Sequence, residues 1–289
     1  MSTNFTFKAI GTSWTIDIPQ DVEDEKELLC SIKNRIDEFD KTYSRFREDS
    51  LVFEMSRKVG IYTLPKDALP IFSFYRELYE ITNGKVTPLI GNTLVGAGYD
   101  LMYSLKPKEN IQKTKKWDDV IKYNHPKLEI KEPTMLDFGA VGKGYLVELV
   151  ADVLRGNKIS EYMINAGGDI AYRNSQNKPL RVGLENPENS NEVVGVAEII
   201  NCSICGSSGN RRVWEKYHHI MDPDTIESPR HILGLWVVAK STYLADGLAT
   251  ALFFVEPELL LKKYDFEYVI LYADHSLKKS EKFPGQLFT

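Results

Sequence analysis

Three glycines and a lysine lie close together in the segment 136–145, which reads LDFGAVGKGY. Gly139, Gly142 and Gly144 let the backbone approach a ligand closely, and Lys143 adds a positive charge where a helix is expected to begin. The first N–H groups of a helix have no partner within the helix, so they can bind an anion such as a phosphate. The spacing matches neither the Walker loop nor the Rossmann fingerprint. The segment therefore indicates either a phosphate-binding loop or an ordinary turn between a strand and a helix.

Asp246 and Thr250 lie four residues apart in the segment 242–254, which is rich in small and apolar residues. In a helix this spacing places both side chains on one face. A carboxylate among apolar neighbours is costly to bury unless it is paired or binds a cation. Carboxylate and hydroxyl oxygens are also donors that Mg²⁺ accepts beside substrate phosphates. The alternative is that Asp246 serves near the start of the helix and Thr250 bonds back to the helix backbone.

Two adjacent histidines, His218 and His219, precede the sequence Ile-Met-Asp-Pro. Neighbouring side chains in a strand face opposite ways, so the pair does not predict a metal site with two histidine ligands. One imidazole could face a cleft and act as a general base near neutral pH, while the other packs or faces solvent. A structural role is the alternative.

Composition excludes several classes of protein. The chain has 289 residues, enough for one large domain or two closely packed ones with a full core. Its formal charge of −5 argues against nucleic acid or an anionic membrane as the main partner. Residues 1–11 lack the blocks of a signal peptide, and the sequence has no membrane-spanning run, so we expect a cytoplasmic protein. Cys30, Cys202 and Cys205 are too few for a disulfide framework.

The elements that must position these residues can be predicted from periodicity and turn residues. Apolar residues recur at helical spacing over 22–39 and 67–82, with Asp21 near the start of the first helix. Residues 4–18 alternate around Gly11, which predicts a hairpin or a bulged strand. Around Lys143, the pattern predicts a short buried strand end, a helix, and a second strand closed by Gly167, Gly168 and Asp169. Further strands are predicted near 120–121, 128–130, 180–184, 192–200, 203–205, 217–221, 233–239 and 268–272, with a helix over 242–254.

Four segments together resemble motifs of the ApbE-type FAD:protein FMN transferases. They are LDFGAVGKGY at 136–145, INAGGDI at 164–170, HHIMDP at 218–223 and ADGLATALFF at 245–254. Weaker similarities are GTSW at 11–14, YSRFREDS at 43–50, GKVTPLIG at 84–91 and SSGNRR at 207–212. The segments occur in the family's order and cover nearly the whole chain.

The resemblance implies a mixed α/β fold in which mixed sheets and packed helices surround a central cleft for FAD. Residues 1–289 would form a single catalytic unit, which could comprise two intimate subdomains without a linker. The implied activity is cleavage of FAD and transfer of FMN to a threonine of a target flavoprotein, with Mg²⁺ on the pyrophosphate and release of AMP. The implied partners are FAD and the acceptor flavoprotein, with no nucleic acid and no membrane insertion. An FAD diphosphatase and a non-catalytic flavin-binding protein are the alternatives.

Carried over by position, the resemblance implies roles for individual residues. Asp246 and Thr250 would be side-chain ligands to Mg²⁺, and the Gly142 carbonyl would complete the set where the family usually has alanine. His219 would take the proton from the acceptor threonine. The residues implied to bind the dinucleotide are Gly11, Thr12, Ser44, Arg45, Lys143, Gly144, Gly167, Gly168, Asp169, Ser208 and Gly209.

Two segments depart from the family pattern. Thr87-Pro88-Leu89 stands where the family commonly has Asp-Pro-Thr, which changes one polar group at the cleft. After Asp222-Pro223, the segment 224–229 replaces the usual Thr-Gly turn with one that has no glycine. Because that loop borders the expected base, the departures leave acceptor handling and transfer itself open.

Overall fold

A computed structural model describes residues 2–288, which form a combination of helices and antiparallel sheets. The elements are β1 (Thr3–Ala9), β2 (Thr12–Ile18), α1 (Glu25–Tyr43), α2 (Leu51–Met55), β3 (Gly60–Thr63), α3 (Ala68–Ile81), α4 (Gly91–Gly96), α5 (Trp117–Val120), β4 (Ile121–Asn124), β5 (Lys127–Ile130), α6 (Gly142–Gly156), β6 (Tyr162–Ala166), β7 (Asp169–Arg173), β8 (Leu180–Asn186), β9 (Asn189–Ile199), β10 (Ser203–Ser208), β11 (Val213–Trp214), β12 (Tyr217–His218), β13 (Ile232–Ala239), α7 (Thr242–Ala251), α8 (Pro257–Leu261), β14 (Phe266–Tyr272), β15 (Leu277–Lys279) and β16 (Gly285–Leu287).

Twelve pairings join the described strands, and all twelve are antiparallel. The main sheet has eight strands in the order β1-β2-β6-β7-β10-β13-β14-β15. Three smaller sheets have the orders β3-β5-β4, β16-β9-β8 and β11-β12. The predicted mixed α/β fold is confirmed, and its described sheets are antiparallel.

The main sheet separates two apolar cores. On one face, α1, α3, α6 and α7 bury a large cluster that includes Trp14, Tyr75 and Leu248. On the other face, the sheet of β8 and β9 covers a smaller cluster that includes Ile204 and Trp236. Alternate residues of a strand face opposite sides of a sheet, so β10 contributes to both cores. The cleft described below opens where loops from the helical face meet the ends of β10 and β12.

Helices α6 and α7 lie close together because Gly144 has no side chain. A Cβ atom at this position would lie 2.6 Å from Cβ of Asp246 and would also collide with the carbonyl oxygen of Thr242. Both neighbours belong to α7, whose backbone cannot move without disturbing the β10 and β13 contacts that it makes. The glycine is therefore required by helix packing.

We expect Gly144→Ala to destabilise the protein by about 1–3 kcal/mol, because overpacking forces the two helices apart. Gly156→Ala is the matched control, since a Cβ atom at the other end of α6 meets nothing within 4 Å. That control should be neutral or slightly stabilising because alanine favours a helix over glycine. Urea denaturation of both variants measures the difference, and equal stabilities would contradict the packing argument.

Most predicted elements are confirmed, and the differences have local causes. The hairpin of β1 and β2 and the helices α1, α3, α6 and α7 all form where periodicity predicts them. Helix α1 begins at Glu25 because the side chain of Asp24, and not that of Asp21, accepts a hydrogen bond from the Glu27 N–H at 2.8 Å. No strand forms at residues 136–138, since the Asp137 N–H donates to the Pro88 carbonyl at 2.7 Å instead of joining a ladder.

Two further expectations concern cysteines and membranes. Cys30, Cys202 and Cys205 are all free, in keeping with the predicted lack of a disulfide framework. Cys205 is buried in β10 and its thiol contacts the Thr242 carbonyl at 3.5 Å. Across residues 2–288, no helix has the length and apolarity needed to cross a membrane.

Candidate active site

One cleft brings together residues from distant parts of the chain. The predicted residues that line it are Thr12, Lys143, Gly167, Ser208, His219, Asp246 and Thr250. They come from β2, α6, the turn between β6 and β7, β10, the segment after β12, and α7. The fold therefore places a carboxylate, a hydroxyl, an ammonium and an imidazole around a single space.

The other predicted residues lie outside this lining. Gly11 forms the turn between β1 and β2 with a φ of +72°, and Ser44 follows the end of α1. Gly168 lies in an adjoining groove, which shares Gly167 and Ser208 with the cleft. Gly209 packs beside the ring of His218. The remaining members are Arg45, Gly142, Gly144 and Asp169, whose positions are described below.

Two buried carboxylates and one ammonium group lie beside the cleft. The Asp246 carboxylate accepts a hydrogen bond from the Gly144 N–H at 2.8 Å, and Asp169 forms an ion pair with Lys143 at 2.5 Å. Burial and the charge of Asp169 raise the pKa of Asp246 well above its usual value. Burial lowers the pKa of Lys143, but Asp169 and Asp246 outweigh this effect, so the pKa is raised. When Asp246, Asp169 and Lys143 are all charged, the cluster carries a net charge of about −1, which a bound cation would offset.

The residues around Asp246 fit a hard divalent cation. The Thr250 hydroxyl lies on the same face of α7 and contacts the Ala140 carbonyl at 3.4 Å. A carboxylate, a hydroxyl and a backbone carbonyl are the oxygen donors that Mg²⁺ prefers. The loop carbonyl that contacts Thr250 is therefore that of Ala140, whereas Gly142 is the first residue of α6 and does not line the cleft. The described part of the chain has no group of three or more His, Cys, Asp or Glu residues arranged for a metal.

Helix α3 holds the loop that carries the Ala140 carbonyl. The Tyr75 hydroxyl accepts a hydrogen bond from the Ala140 N–H at 3.2 Å and donates to the Asp137 carbonyl at 3.4 Å. Tyr75 is fully buried, as its helical periodicity predicts. This buried hydroxyl fixes the loop backbone opposite α7.

The two adjacent histidines have different environments, as expected, but the strand predicted over 217–221 ends at His218 and His219 lies just after it. The His218 ring is buried, and its Nε2 lies 2.8 Å from the Pro229 carbonyl. Its backbone N–H donates to the Ser228 hydroxyl at 2.8 Å, so His218 holds the following loop. His219 instead lines the cleft. The structure thus assigns the packing role to His218 and leaves His219 beside Asp246 and Thr250.

The surroundings of His219 keep its imidazole neutral. Burial, together with the positive charges of Arg212, His218, Lys143 and Arg211, lowers its pKa to about 3. Within residues 2–288, its buried Nδ1 atom has no hydrogen-bond partner. A base in this state is unprotonated at neutral pH, but it binds a proton weakly until the nearby positive charges are offset.

Arg45 supports the wall of the cleft from behind. Its guanidinium group is buried between the rings of Phe46 and Tyr99, with centroids at 4.0 and 4.5 Å. It forms an ion pair with Asp137 and donates to the Tyr99 carbonyl at 2.6 Å. Asp137, Phe46 and Tyr99 all line the cleft, so Arg45 orders three lining residues without lining it itself.

Sequence reasoning missed several residues of the cleft. Arg212 lines it and donates to the Tyr99 hydroxyl at 2.9 Å, and Arg211 donates to the Gly167 carbonyl at 3.3 Å. The adjacent arginines after Gly209 were visible as a cationic pair. The place of Tyr99 in the cleft cannot be predicted from its sequence neighbours, because its partners Arg45 and Arg212 lie more than fifty residues before and after it.

Lys85, two residues before Thr87, forms an ion pair with the start of the loop at 222–229. The Lys85 ammonium lies 2.8 Å from both carboxylate oxygens of Asp222 and 2.7 Å from Asp224. The loop is also closed by its own backbone, since the Ile226 N–H donates to the Asp222 carbonyl at 2.9 Å. Ile226 has a φ of +60°, a conformation that favours glycine, and it packs against the apolar cluster around Tyr99. Packing and charge therefore hold a turn that contains no glycine.

We expect Lys85→Met to lower the free energy of unfolding by about 1 kcal/mol at neutral pH. Asp222 is desolvated by burial, but Lys85 and backbone N–H groups still lower its pKa. A lowered carboxylate pKa stabilises the fold above the unfolded value of 3.8, and this contribution is lost as the pH falls through the folded pKa. The difference between wild type and variant should therefore shrink as the pH falls from 3.8 through the folded pKa of Asp222. Urea denaturation at neutral pH and at a pH below that folded pKa measures the difference.

Lys85→Arg is the control for this prediction because it keeps the positive charge. It should retain most of the stability at neutral pH. A difference of the same size at both pH values would show that lost packing, and not charge, accounts for the effect.

Comparison with known proteins identifies relatives along nearly the whole chain. Residues 10–269 match the sequence model of the ApbE family. The chain is 25% identical to the FAD:protein FMN transferase of Salmonella typhimurium over 269 residues, covering 85% of this chain and 76% of the relative. It is 26% identical to the FAD:protein FMN transferase of Vibrio cholerae over 262 residues, covering 84% and 78%.

Two solved structures share the fold. The ApbE protein of Thermotoga maritima superposes with a TM-score of 0.81 at 18% identity, covering 97% of both chains. The flavin transferase ApbE from Vibrio cholerae superposes with a TM-score of 0.77 at 20% identity, covering 97% of this chain and 96% of the other. At these identities the structures support the fold.

Proposed function

This chain belongs to the ApbE family, and we propose that it is an FAD:protein FMN transferase that moves FMN from FAD to a threonine of an acceptor flavoprotein. The observation that carries the proposal is the convergence of Asp246, Thr250, Lys143 and His219 on one cleft. These residues combine oxygen donors for a cation, a positive charge for a phosphate and a base for a hydroxyl group. Such a set suits transfer of a phosphoryl-linked group from a pyrophosphate.

The positive groups of the cleft would hold the pyrophosphate of FAD. Lys143, Arg211 and Arg212 all line the cleft, and their charges suit two adjacent phosphates. Asp246, Thr250 and a loop carbonyl, that of Ala140 by contact or that of Gly142 by resemblance, would hold Mg²⁺. When bound, Mg²⁺ would offset the negative charge that develops on the pyrophosphate.

His219 would accept the proton of the attacking hydroxyl group. The threonine oxygen forms a bond to the FMN phosphorus, the bond from that phosphorus to the AMP oxygen breaks, and AMP leaves. The hydroxyl proton passes to the unprotonated imidazole. Burial and, after it, nearby cations keep the pKa of His219 low, and the negative charges of a bound pyrophosphate would offset the cations and raise this pKa towards the range in which a base works well. Binding of FAD would therefore make His219 a stronger base.

The test is a transfer assay with the full chain, FAD, MgCl₂ and an extract that contains flavoproteins. The expected result is a protein band that stays fluorescent after denaturing electrophoresis, with AMP released in equal amount and with no band when EDTA is present. Intact FAD under every divalent metal tried would contradict the proposal. Release of AMP and free FMN without any labelled protein would instead identify an FAD diphosphatase, in which water replaces threonine.

The cytoplasmic location stays a prediction of the sequence.

A further inference from the structure

An ordered loop with exposed apolar side chains borders the cleft, and we name residues 98–106 the cleft-mouth loop. The Leu105 N–H donates to the Gly98 carbonyl at 2.8 Å, which closes the loop. The Asp100 carboxylate accepts hydrogen bonds from the N–H groups of Met102 at 3.0 Å and Ser104 at 2.9 Å. The backbone is therefore held by its own hydrogen bonds.

Packing within this chain covers only part of the apolar surface that the loop displays. Met102, Tyr103 and Leu105 are 82%, 50% and 39% exposed. Tyr103 and Leu105 also have φ values of 50° and 53°, which cost roughly 1 kcal/mol each for residues that are not glycine. Folding gains little from exposed apolar groups on a strained backbone, so their benefit must come from a contact outside the chain.

Ring contacts place the loop at the mouth of the cleft. Tyr103 stacks on Phe46 with ring centroids 5.1 Å apart and meets the edge of Tyr99 at 5.4 Å. Both of those rings line the cleft. Tyr99 also stacks on Trp214 at 5.5 Å, in the strand pair that leads to His219.

We propose that the cleft-mouth loop is the surface on which the acceptor flavoprotein docks, an inference that rests on the proposed transferase function. A threonine within a folded protein can reach His219 only if its own protein covers the mouth of the cleft. The loop offers that protein Met102 and Leu105 as apolar anchors.

Positive charge near the loop indicates the charge of the partner that it would bind. Residues 105–116 contain five lysines and a single acidic residue, Glu109. Lys106 at the end of the loop and Lys108 just after it are both exposed, and Arg212 adds a third positive charge at the cleft. The acceptor segment that fits this surface therefore combines apolar side chains with acidic ones next to its threonine.

The test compares transfer kinetics of wild type and the double variant Met102→Ser/Leu105→Asn. Asparagine is chosen because it tolerates the left-handed backbone at position 105. The probe is the flavoprotein that wild type labels in the transfer assay, purified and titrated at saturating FAD. We expect the KM for this protein to rise by about tenfold or more, with kcat at saturation and the Kd for FAD within about twofold of wild type.

The matched control is Val59→Thr/Ile61→Thr, which removes two exposed apolar side chains around β3. The β3 strand contributes no described residue to the cleft, so the control should keep the KM of wild type.

The variant Lys106→Gln/Lys108→Gln tests the contribution of charge. It should raise the KM for the acceptor protein and weaken the dependence of that KM on ionic strength.

Each outcome decides the inference. An unchanged KM in the loop variant would overturn docking while leaving the transferase function intact. A weakened Kd for FAD would assign the loop to the dinucleotide site and would also overturn docking. Failure of wild type to label any protein would refute the transferase function, and the proposed occupant of the loop with it.

Discussion

Replacing His219 with alanine is expected to slow FMN transfer by about two to four orders of magnitude, the usual contribution of a positioned general base. The Kd for FAD should change little, because the residues proposed to bind its phosphates are Lys143, Arg211 and Arg212. Release of AMP followed over time measures the rate, and FAD fluorescence measures binding. His231→Ala is the control, since that side chain is exposed and does not line the cleft.

The pH dependence provides a second readout of the same residue. With a pKa of about 3, His219 is already unprotonated in the free enzyme, so it should cause no fall in kcat/KM between pH 7 and about pH 4. Bound pyrophosphate offsets the surrounding positive charges and raises this pKa, so kcat should begin to fall at a higher pH than kcat/KM. A loss of FAD affinity equal to the loss of rate would contradict the role as base.

The lowered pKa of His219 makes the folded protein less stable at acidic pH, whereas an ion pair that raises the pKa of a histidine makes it more stable there. The folded state holds His219 below its unfolded pKa of 6.5, so the unfolded chain binds the proton more readily. Stability is therefore lost as the pH falls below about 6.5. The alanine variant should lack this part of the acid sensitivity.

Much of the fold could be predicted because its signals are local. The apolar spacing of α1 and α3 and the glycine turn between β1 and β2 each specify an element without reference to the rest of the chain. The segment at 136–138 was predicted wrongly as a strand because its apolar residues are buried by loop packing. Its backbone partner, the Pro88 carbonyl, is a distant contact that periodicity does not report.

In the candidate site, too, some positions follow from local sequence and others depend on distant contacts. The spacing of Asp246 and Thr250 predicts that they share a face of one helix, and both line the cleft. The roles suggested for Gly144 and Arg45 depend on what lies across the fold from them. Gly144 allows α7 to approach and Arg45 is buried behind the lining, so neither position follows from its own sequence neighbours.

Replacing Asp246 with asparagine is expected to reduce metal-dependent turnover by about a thousandfold, because the only carboxylate proposed as a metal ligand is lost. The fold should not weaken. Burial and Asp169 raise the pKa of Asp246, so its ionised form destabilises the folded protein as the pH rises from 3.8 towards the folded pKa. Asparagine removes that charge and keeps an oxygen that can accept the Gly144 N–H. Without divalent metal, the Tm of the variant should therefore equal or exceed that of wild type.

Metal addition separates a ligand from a residue that is only structural. If Asp246 binds Mg²⁺, MgCl₂ at about a hundred times the Kd stabilises wild type by about 2.7 kcal/mol and leaves Asp246→Asn unchanged. Thr250→Ser keeps the hydroxyl group and should retain the stabilisation, whereas Thr250→Val should lose part of it. Equal shifts in Tm for wild type and Asp246→Asn would refute the metal assignment even if turnover were lost. A lower Tm of the variant in EDTA would show instead that the carboxylate holds α6 and α7 together.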